Sequence, residues 1–248
     1  MGFTFDGVSS GQMGIPSRMS VQNRIPKLRN STDQVAGRDG VFDFGNTLSE
    51  RVIQITCLIP PGLDAATLLE RKDRIVEWLD PGKGLRLLEL DQEPGRQYLA
   101  RLEDGVSFTN LVRNADTFEL NFFCPDPFAY AKEDEVFTLT GSGDIRRRFG
   151  NVASHPVYEV RGSLADETQE LVFLVNGEQV HVCGPLCSGE VLSIDTEDMT
   201  ARIADRNALG QMKELNFPYL KTGINTVTIG EGSGTFDSLT IRARSRWL

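Results

Sequence analysis

RVIQITCLIPPGLDAATLLERKDRIVEWLDPG occupies residues 51–82, and this stretch decides the fold of the first half of the chain. Its first nine residues, Arg51 to Ile59, are rich in β-branched side chains, which favour a strand. Pro60-Pro61-Gly62 ends that strand, because proline and glycine break regular pairing. Apolar residues at helical spacing follow. The stretch therefore predicts one strand followed closely by one helix.

The predicted helix has a defined beginning and end. Asp64 is a good N-cap, since its carboxylate can accept hydrogen bonds from the free backbone N–H groups of the first turn. Leu63 and Leu68 have the spacing of a hydrophobic staple, and Asp80-Pro81-Gly82 ends the helix. The predicted apolar stripe, with Trp78 at its edge, is Ala65, Leu68, Leu69, Ile75, Val76 and Leu79. A helix with one apolar stripe covers a sheet, so we expect these residues to be core.

The rest of the first half reads as strands joined by turns. The candidates are Phe3 to Phe5, Arg18 to Ile25, Leu85 to Leu90, Gln97 to Glu103 and Thr117 to Phe123. Residues 26–40 are polar and contain Gly37 and Gly40, which is typical of a long loop or an open hairpin tip. We therefore predict a β-sandwich-like first domain, residues 1–132, with one covering α-helix.

The second half is predicted to be all-β. Asn176-Gly177 lies between two apolar runs and is a strong hairpin signal, because both turn positions tolerate positive φ. Further strand patterns follow at the spacing of an antiparallel sandwich, which we place at residues 156–248. Between the two domains we expect a connector, residues 133–155. It contains a strand pattern, Val136 to Leu139, and a solvated basic run, Arg146-Arg147-Arg148.

Composition narrows the classes of function. The formal net charge of −9 makes tight DNA binding by counterion release unexpected. The N-terminus has neither a basic start nor an apolar run, and the longest unbroken apolar run is only Leu171 to Val175, so we expect no secretion signal and no membrane insertion. We read the four cysteines as reduced thiols: Cys57, Cys124, Cys183 and Cys187.

The sequence contains no convincing catalytic or metal-binding motif. Gly7-Val8-Ser9-Ser10-Gly11 matches the nucleophile-elbow string, but no helix can readily follow it, so we interpret it as a glycine-rich turn. His181, Cys183 and Cys187 are the best metal candidate, yet a structural zinc site usually needs four ligands. The favoured interpretation is a strand pair, His181 and Cys183, beside an unrelated loop thiol. We therefore expect no cofactor and no enzymatic activity.

Aromatic residues in the second half leave carbohydrate binding open. β-Sandwiches often bind glycans by stacking sugar rings on exposed aromatic side chains. Most candidates here have apolar neighbours at strand spacing and are expected in the core. Tyr219 and Trp247 are the plausible exposed platforms.

Several short motifs, in their order along the chain, resemble the distal tail proteins (Dit) of siphovirus-type bacteriophages. In the first half these are Phe5-Asp6-Gly7, the loop Gly37-Arg38-Asp39-Gly40, the strand–helix pair ending at Trp78-Leu79, and Cys124-Pro125-Asp126-Pro127-Phe128. In the second half they are Ile194-Asp195, Phe217-Pro218-Tyr219-Leu220, Gly223-Ile224-Asn225-Thr226-Val227 and Arg246-Trp247-Leu248. The resemblance covers nearly the whole chain.

The resemblance implies a virion component of the phage tail, synthesised in the host cytoplasm. Its first domain would form a homo-oligomeric, six-membered ring at the tail end, and its second domain would be a galectin-like antiparallel β-sandwich projecting outward. Its partners would be the tail tube protein and tail-tip or receptor-binding proteins, with DNA only in transit through the lumen. We expect Gly37, Arg38, Asp39 and Gly40 to form an assembly loop, in which Arg38 and Asp39 either contact another chain or pair with each other. The alternative is a carbohydrate-binding adhesin module.

Overall fold

The computed structural model describes residues 2–21, 25–61, 63–112 and 115–248. Its contacts divide the chain into two compact units, residues 1–129 together with Leu248, and residues 130–247. Residues 22–24, which belong to the predicted strand Arg18 to Ile25, lie outside the described residues. So does Gly62, the last residue of the predicted strand end Pro60-Pro61-Gly62.

The first unit contains an antiparallel sheet and an α-helix. Its elements are β1 (Phe3–Phe5), β2 (Val8–Ser9), β3 (Ser17–Val21), β4 (Leu28–Asp33), β5 (Phe42–Leu48), β6 (Arg51–Ile59), α1 (Ala65–Trp78), β7 (Arg86–Leu90), β8 (Arg96–Leu102), β9 (Thr109–Val112) and β10 (Ala115–Cys124), and a 3-10 turn at Pro81–Lys83 follows the helix. The strands of the sheet lie in the order β2-β1-β7-β8-β10-β6-β3, with β9 paired to β10. The pair β4 and β5 forms a separate two-stranded sheet.

The helix begins as predicted, but it buries a different face. Asp64 accepts a hydrogen bond from the backbone N–H of Thr67 at 2.9 Å. Trp78 is core: its ring stacks on Phe3 at 5.5 Å between centroids, and its indole N–H donates to the carbonyl of Phe5 at 3.0 Å. Leu69 and Val76 were predicted to be core and are instead 61% and 52% exposed. Each residue turns the helix by about 100°, so a face centred on Ile75 and Trp78 leaves Val76 pointing aside.

A charge pair also ties the helix to the sheet. Lys72 of α1 forms an ion pair with Asp116 of β10, whose side chain is almost fully buried. The Lys72 ammonium also lies 5.1 Å from the centre of the Phe108 ring. A buried carboxylate needs such a partner, because leaving it unpaired in a low-dielectric interior is costly.

The second unit is an antiparallel β-sandwich. After β11 (Ala129–Ala131), at the sequence boundary of the units, its strands are β12 (Val136–Leu139), β13 (Gly143–Arg147), β14 (Val157–Ser163), β15 (Glu170–Val175), β16 (Glu178–Cys183), β17 (Val191–Asp195), β18 (Thr200–Ile203), β19 (Arg206–Asn207), β20 (Gly223–Ile229), β21 (Thr235–Arg242) and β22 (Arg246–Trp247), and a 3-10 turn lies at Leu209–Gln211. One sheet has the order β12-β21-β14-β17-β18-β19 and the other β13-β20-β15-β16. Both sheets contribute inward side chains to one core, including Tyr158, Phe173, Val180, Ile194 and Ile241.

The predicted mainly β fold with one α-helix is confirmed within the described residues. The hairpin at Asn176-Gly177 is present, with φ of 53° and 89° at the two turn residues. The stretch 133–155, assigned to a connector from the sequence, contributes β12 and β13 to the two sheets. Among the described residues, no helix combines the length and apolarity that a membrane crossing requires.

Candidate functional site

The predicted assembly loop lies at the tip of an exposed β-hairpin. We call residues 28–48, which comprise β4, β5 and their connection, the hairpin arm. Within the described part of the chain, its two strands pair only with each other, and every residue from Leu28 to Thr47 is exposed. The residues that the sequence described as a loop or open hairpin tip thus include one strand of the arm.

Backbone geometry and one ring contact define the arm tip. Gly37 and Gly40 have φ of 82° and 84°, a region that side chains with a Cβ disfavour. The backbone N–H of Arg38 donates to the carbonyl of Val35 at 3.2 Å, and the Arg38 guanidinium lies 4.3 Å from the centre of the Phe42 ring. The structure brings Arg38 onto an aromatic ring, and neither Arg38 nor Asp39 takes part in an ion pair with another described residue.

The arm carries apolar side chains that the sequence analysis had not singled out. Phe42 and Phe44 are 40% and 69% exposed. They are two residues apart on β5, and side chains at that spacing share one face of a strand. The alternation Phe42-Asp43-Phe44 could have indicated such a face from the sequence. That alternation is typical of a strand with one buried face, whereas in the structure both phenylalanines are exposed.

A second candidate site lies on the β15–β16 hairpin. The ligand atoms of Glu170, His181 and Cys183 all lie within 4.8 Å of one another. His181 Nε2 is 2.7 Å from Glu170 Oε2, and Lys213 Nζ donates to the same oxygen at 2.6 Å. We call these three ligand residues the strand-face cluster.

Strand pairing explains why the strand-face cluster forms. Glu170 pairs directly with Cys183, and His181 lies two residues before Cys183 on the same face of β16. The next residues along each strand, Leu171 and Val182, are buried in the core, so the cluster occupies the opposite, outward face. Glu170 was missed from the sequence, although residues equidistant from the Asn176-Gly177 turn are expected to pair.

The third predicted ligand, Cys187, is not among the residues of this cluster. It is exposed in the loop after β16, where its backbone N–H donates to Glu190 at 2.8 Å. The structure therefore joins His181 and Cys183, as their strand spacing suggested, and replaces the loop thiol with a carboxylate.

Electrostatics around the cluster favour an ionised carboxylate. Hydrogen bonds from Lys213 and from His181 lower the pKa of Glu170, and Glu170 in turn raises the pKa of Lys213. In the first unit, burial raises the pKa of both the Cys57 and the Cys124 thiol to about 12. Those two thiols are neutral core groups, and all four cysteines are free, as predicted.

The prediction that the basic run Arg146-Arg147-Arg148 is solvated is wrong at Arg147. Arg146 and Arg148 are exposed, but Arg147 points inward and is only 3% exposed. Its guanidinium donates to the carbonyl of Phe149 at 3.0 Å, to that of Leu220 at 2.9 Å and to Ser154 Oγ at 2.9 Å. Strand alternation decides this outcome, because Ile145 and Arg147 share the inward face of β13.

Aromatic exposure in the second unit is limited. Tyr158 and Phe173 are buried, as expected, and Tyr219 is 39% exposed. Phe149 is 46% exposed, its ring lies 6.3 Å from that of Trp247, and it borders a groove of about 670 Å³ between β12 and β13. Of the two predicted platforms, Trp247 is only partly exposed.

The chain is thus mainly β, with two compact units and a hairpin arm whose residues from Leu28 to Thr47 are all exposed. Two family models match it: the phage tail protein RIFT-related domain over residues 11–124, and the siphovirus-type tail component, C-terminal domain, over residues 149–247. Together they leave only the first ten residues, residues 125–148 and Leu248 unmatched. The chain belongs to the distal tail proteins of siphovirus-type phages, and it is a structural component of the phage tail-tip hub.

One solved structure shows the same fold. The crystal structure of the Dit protein of phage SPP1, described as a paradigm of hub adsorption apparatus in phages infecting Gram-positive hosts, aligns with a TM-score of 0.76 at 15% identity, covering 100% of this chain and 99% of that chain. A chain of the phage P2 baseplate in its activated conformation with Ca aligns with a TM-score of 0.47 at 11% identity, covering 95% and 92% of the two chains. No curated protein sequence matches the chain.

Proposed function

We propose that six copies of this chain form a closed ring at the tail tip, joining the tail tube to the host-adsorption apparatus. The observation that carries the proposal is the hairpin arm. A two-stranded hairpin by itself is at best marginally stable in water, and this one pairs with no other strand among the described residues. A neighbouring copy would supply the missing contacts.

The apolar face of the arm gives that contact its chemistry. Phe42 and Phe44 expose large apolar areas on one face, and burying an aromatic side chain contributes about 1.5–3 kcal/mol. A closed ring repeats one head-to-tail interface around its axis. An arm reaching from each copy to the next satisfies that requirement.

The predicted assembly loop takes a supporting role in this arrangement. The stacking of Arg38 on Phe42 holds the tip next to the apolar face. The glycines on either side, Gly37 and Gly40, let the backbone turn with positive φ. We propose that Asp39, exposed at the tip, meets a donor on the neighbouring copy.

We further assign the ring contacts to a first domain of residues 1–132, and an outward projection to a galectin-like second domain of residues 156–248. The partners would be the tail tube protein on one side and tail-tip or receptor-binding proteins on the other. DNA would only pass through the lumen, and the net charge of −9 is compatible with a wall that does not hold phosphates. We propose no enzymatic activity, and synthesis in the host cytoplasm before assembly.

The test is the mass of the intact assembly. Native mass spectrometry of the full chain should show six copies, and negative-stain electron microscopy should show rings. Phe42→Ser with Phe44→Ser should shift the population to monomers. Ile224→Ser is a matched control, because Ile224 is 64% exposed on β20 of the second unit. A wild-type chain that stays monomeric at high concentration would refute the ring, and rings that survive the double substitution would refute the role of the arm.

Carbohydrate binding is the second candidate, and the groove beside Phe149 is the observation that favours it. A half-exposed aromatic ring beside a groove lined by both apolar and polar side chains can stack against a sugar. A glycan array probed with the intact protein tests this function. Binding that is lost in Phe149→Ala would establish an adhesin role, and no binding on the array would exclude it for the glycans displayed.

A further inference from the structure

We propose that the strand-face cluster, Glu170, His181 and Cys183, is a binding site for one divalent transition-metal ion, and that zinc is the ion it fits best. This inference is independent of ring formation, because the three residues belong to one hairpin of one chain. Its test counts ions per chain, so it succeeds or fails separately from the hub function.

The scaffold holds the three ligand residues in place. Glu170 and Cys183 are directly paired across the two strands, and His181 is their neighbour on the same face. The inward side chains between them, including Leu171 and Val182, are fixed in the sandwich core. Sites built on paired strands are more precise than sites on loops, and the side chains need little rearrangement to converge.

The distances suit a small tetrahedral shell. Zinc binds sulfur at about 2.3 Å and nitrogen or oxygen at about 2.0–2.2 Å, which places neighbouring ligand atoms about 3.5 Å apart. The ligand atoms of the cluster lie within 4.8 Å of one another, and His181 Nε2 is 2.7 Å from Glu170 Oε2. Small χ rotations of these partly buried side chains would convert the present contacts into ligation.

The donor set selects the kind of metal. A thiolate, an imidazole and a carboxylate are all zinc ligands, and three protein ligands with an open fourth position are a familiar zinc arrangement. The thiolate disfavours calcium and magnesium, which prefer oxygen ligands. Metal ligation displaces the thiol proton of Cys183, so a thiolate and a carboxylate would together balance the charge of one divalent ion.

Lys213 competes for this position. Its ammonium donates to Glu170 Oε2 at 2.6 Å and lies near enough to Cys183 for the two to interact electrostatically. The Lys213 side chain is 51% exposed, so it can swing into solvent when a metal ion arrives. A metal ion would thus replace one cation with another, and removal of Lys213 should strengthen binding.

The experiment is a titration of the full chain, reduced and freed of metal, with Zn²⁺ and with Co²⁺ as a spectroscopic substitute. We expect one ion per chain by native mass spectrometry and calorimetry, and a thiolate-to-cobalt charge-transfer absorption. Cys183→Ser and His181→Asn should each weaken binding at least about 100-fold, because each removes one of three ligands. Lys213→Ala should tighten binding by about 10-fold.

The control is Cys187→Ser, which removes the nearby exposed thiol outside the cluster and should leave affinity unchanged. The gain expected for Lys213→Ala cannot arise from misfolding, so the proposal stays testable if a ligand variant unfolds. No binding at about 100 µM free Zn²⁺ would overturn the site. Equal losses in Cys187→Ser and Cys183→Ser would also overturn it, as would unchanged or weaker binding in Lys213→Ala. The cluster would then be an ion-pair network only.

Discussion

Two β-hairpins of this chain share antiparallel pairing but have opposite surroundings. In the β15–β16 hairpin every second side chain enters the sandwich core, as with Phe173 and Val180. In the hairpin arm every residue from Leu28 to Thr47 is exposed. Both have antiparallel pairing and glycines with positive φ at the turn.

The difference shows that strand pairing alone is not what stabilises a hairpin here. Backbone hydrogen bonds contribute little net free energy, since the unfolded chain makes similar bonds with water. The β15–β16 hairpin gains its stability from burial, whereas the arm leaves every residue from Leu28 to Thr47 exposed in the described structure. The proposed ring contact would supply that burial.

The largest effect should come from matched aromatic truncations. Phe173→Ala should destabilise the second unit by about 3–5 kcal/mol, because it leaves a cavity in a core. Phe44→Ala should change the free energy of unfolding by less than about 0.5 kcal/mol, because its ring is exposed. Urea unfolding of dilute, monomeric protein measures both. Similar losses in the two variants would mean that the arm packs against its own chain.

The next effect sharpens the role of side-chain direction within one strand. Arg147→Met should cost about 2–4 kcal/mol, because the carbonyls of Phe149 and Leu220 lose their buried donor. Arg146→Met is the control. The side chain of Arg146 is exposed, so this substitution should change the free energy of unfolding by less than about 0.5 kcal/mol. Denaturant unfolding followed by circular dichroism gives both values. Equal effects would show that Arg147 is solvated after all.

Turn glycines should separate the two hairpins at a smaller scale. Gly177→Ala places a Cβ at a φ of 89° and should destabilise the second unit by about 1–2 kcal/mol. Gly40→Ala introduces the same kind of strain at a φ of 84°, but the arm contributes little to global unfolding. Only Gly177→Ala should lower the thermal midpoint of the monomer. A matching drop in Gly40→Ala would show that the arm unfolds together with the rest of the chain.

The smallest expected effect concerns how the stability of the second unit depends on acidic pH. Burial alone would raise the pKa of Asp195, but hydrogen bonds from Arg244 and from the backbone outweigh it and lower that pKa. A carboxylate with a lowered folded pKa stabilises the protein above its unfolded pKa, near 4, and this contribution is lost as the pH falls through the folded value. Asp195→Asn should therefore flatten the stability profile below about pH 4.

Thermal unfolding between about pH 2 and 6 checks this expectation. Glu167→Gln is the control, because Glu167 is an exposed acid in the loop before β15. An unchanged acid limb in Asp195→Asn would contradict the prediction.

Local sequence signals determined the secondary structure well where they act over few residues. The cap at Asp64, the turn at Asn176-Gly177 and the β-branched run Arg51 to Ile59 each predicted an element that the structure contains. These signals are reliable because they depend on neighbouring φ angles and hydrogen bonds. The order of the short motifs along the chain separately indicated a resemblance to the tail-protein family, which the family models confirm.

Only the tertiary structure decided which side of each element is buried and which distant side chains meet. Trp78 became core and Val76 did not, because β1 lies against one narrow face of the helix. Arg147 became buried because β13 joins a sheet, which short-range composition does not reveal. Glu170 joined His181 and Cys183 through strand register, and the arm found no further partner strand among the residues that the structure describes. Each outcome depends on packing between residues far apart in sequence, which local propensity does not encode.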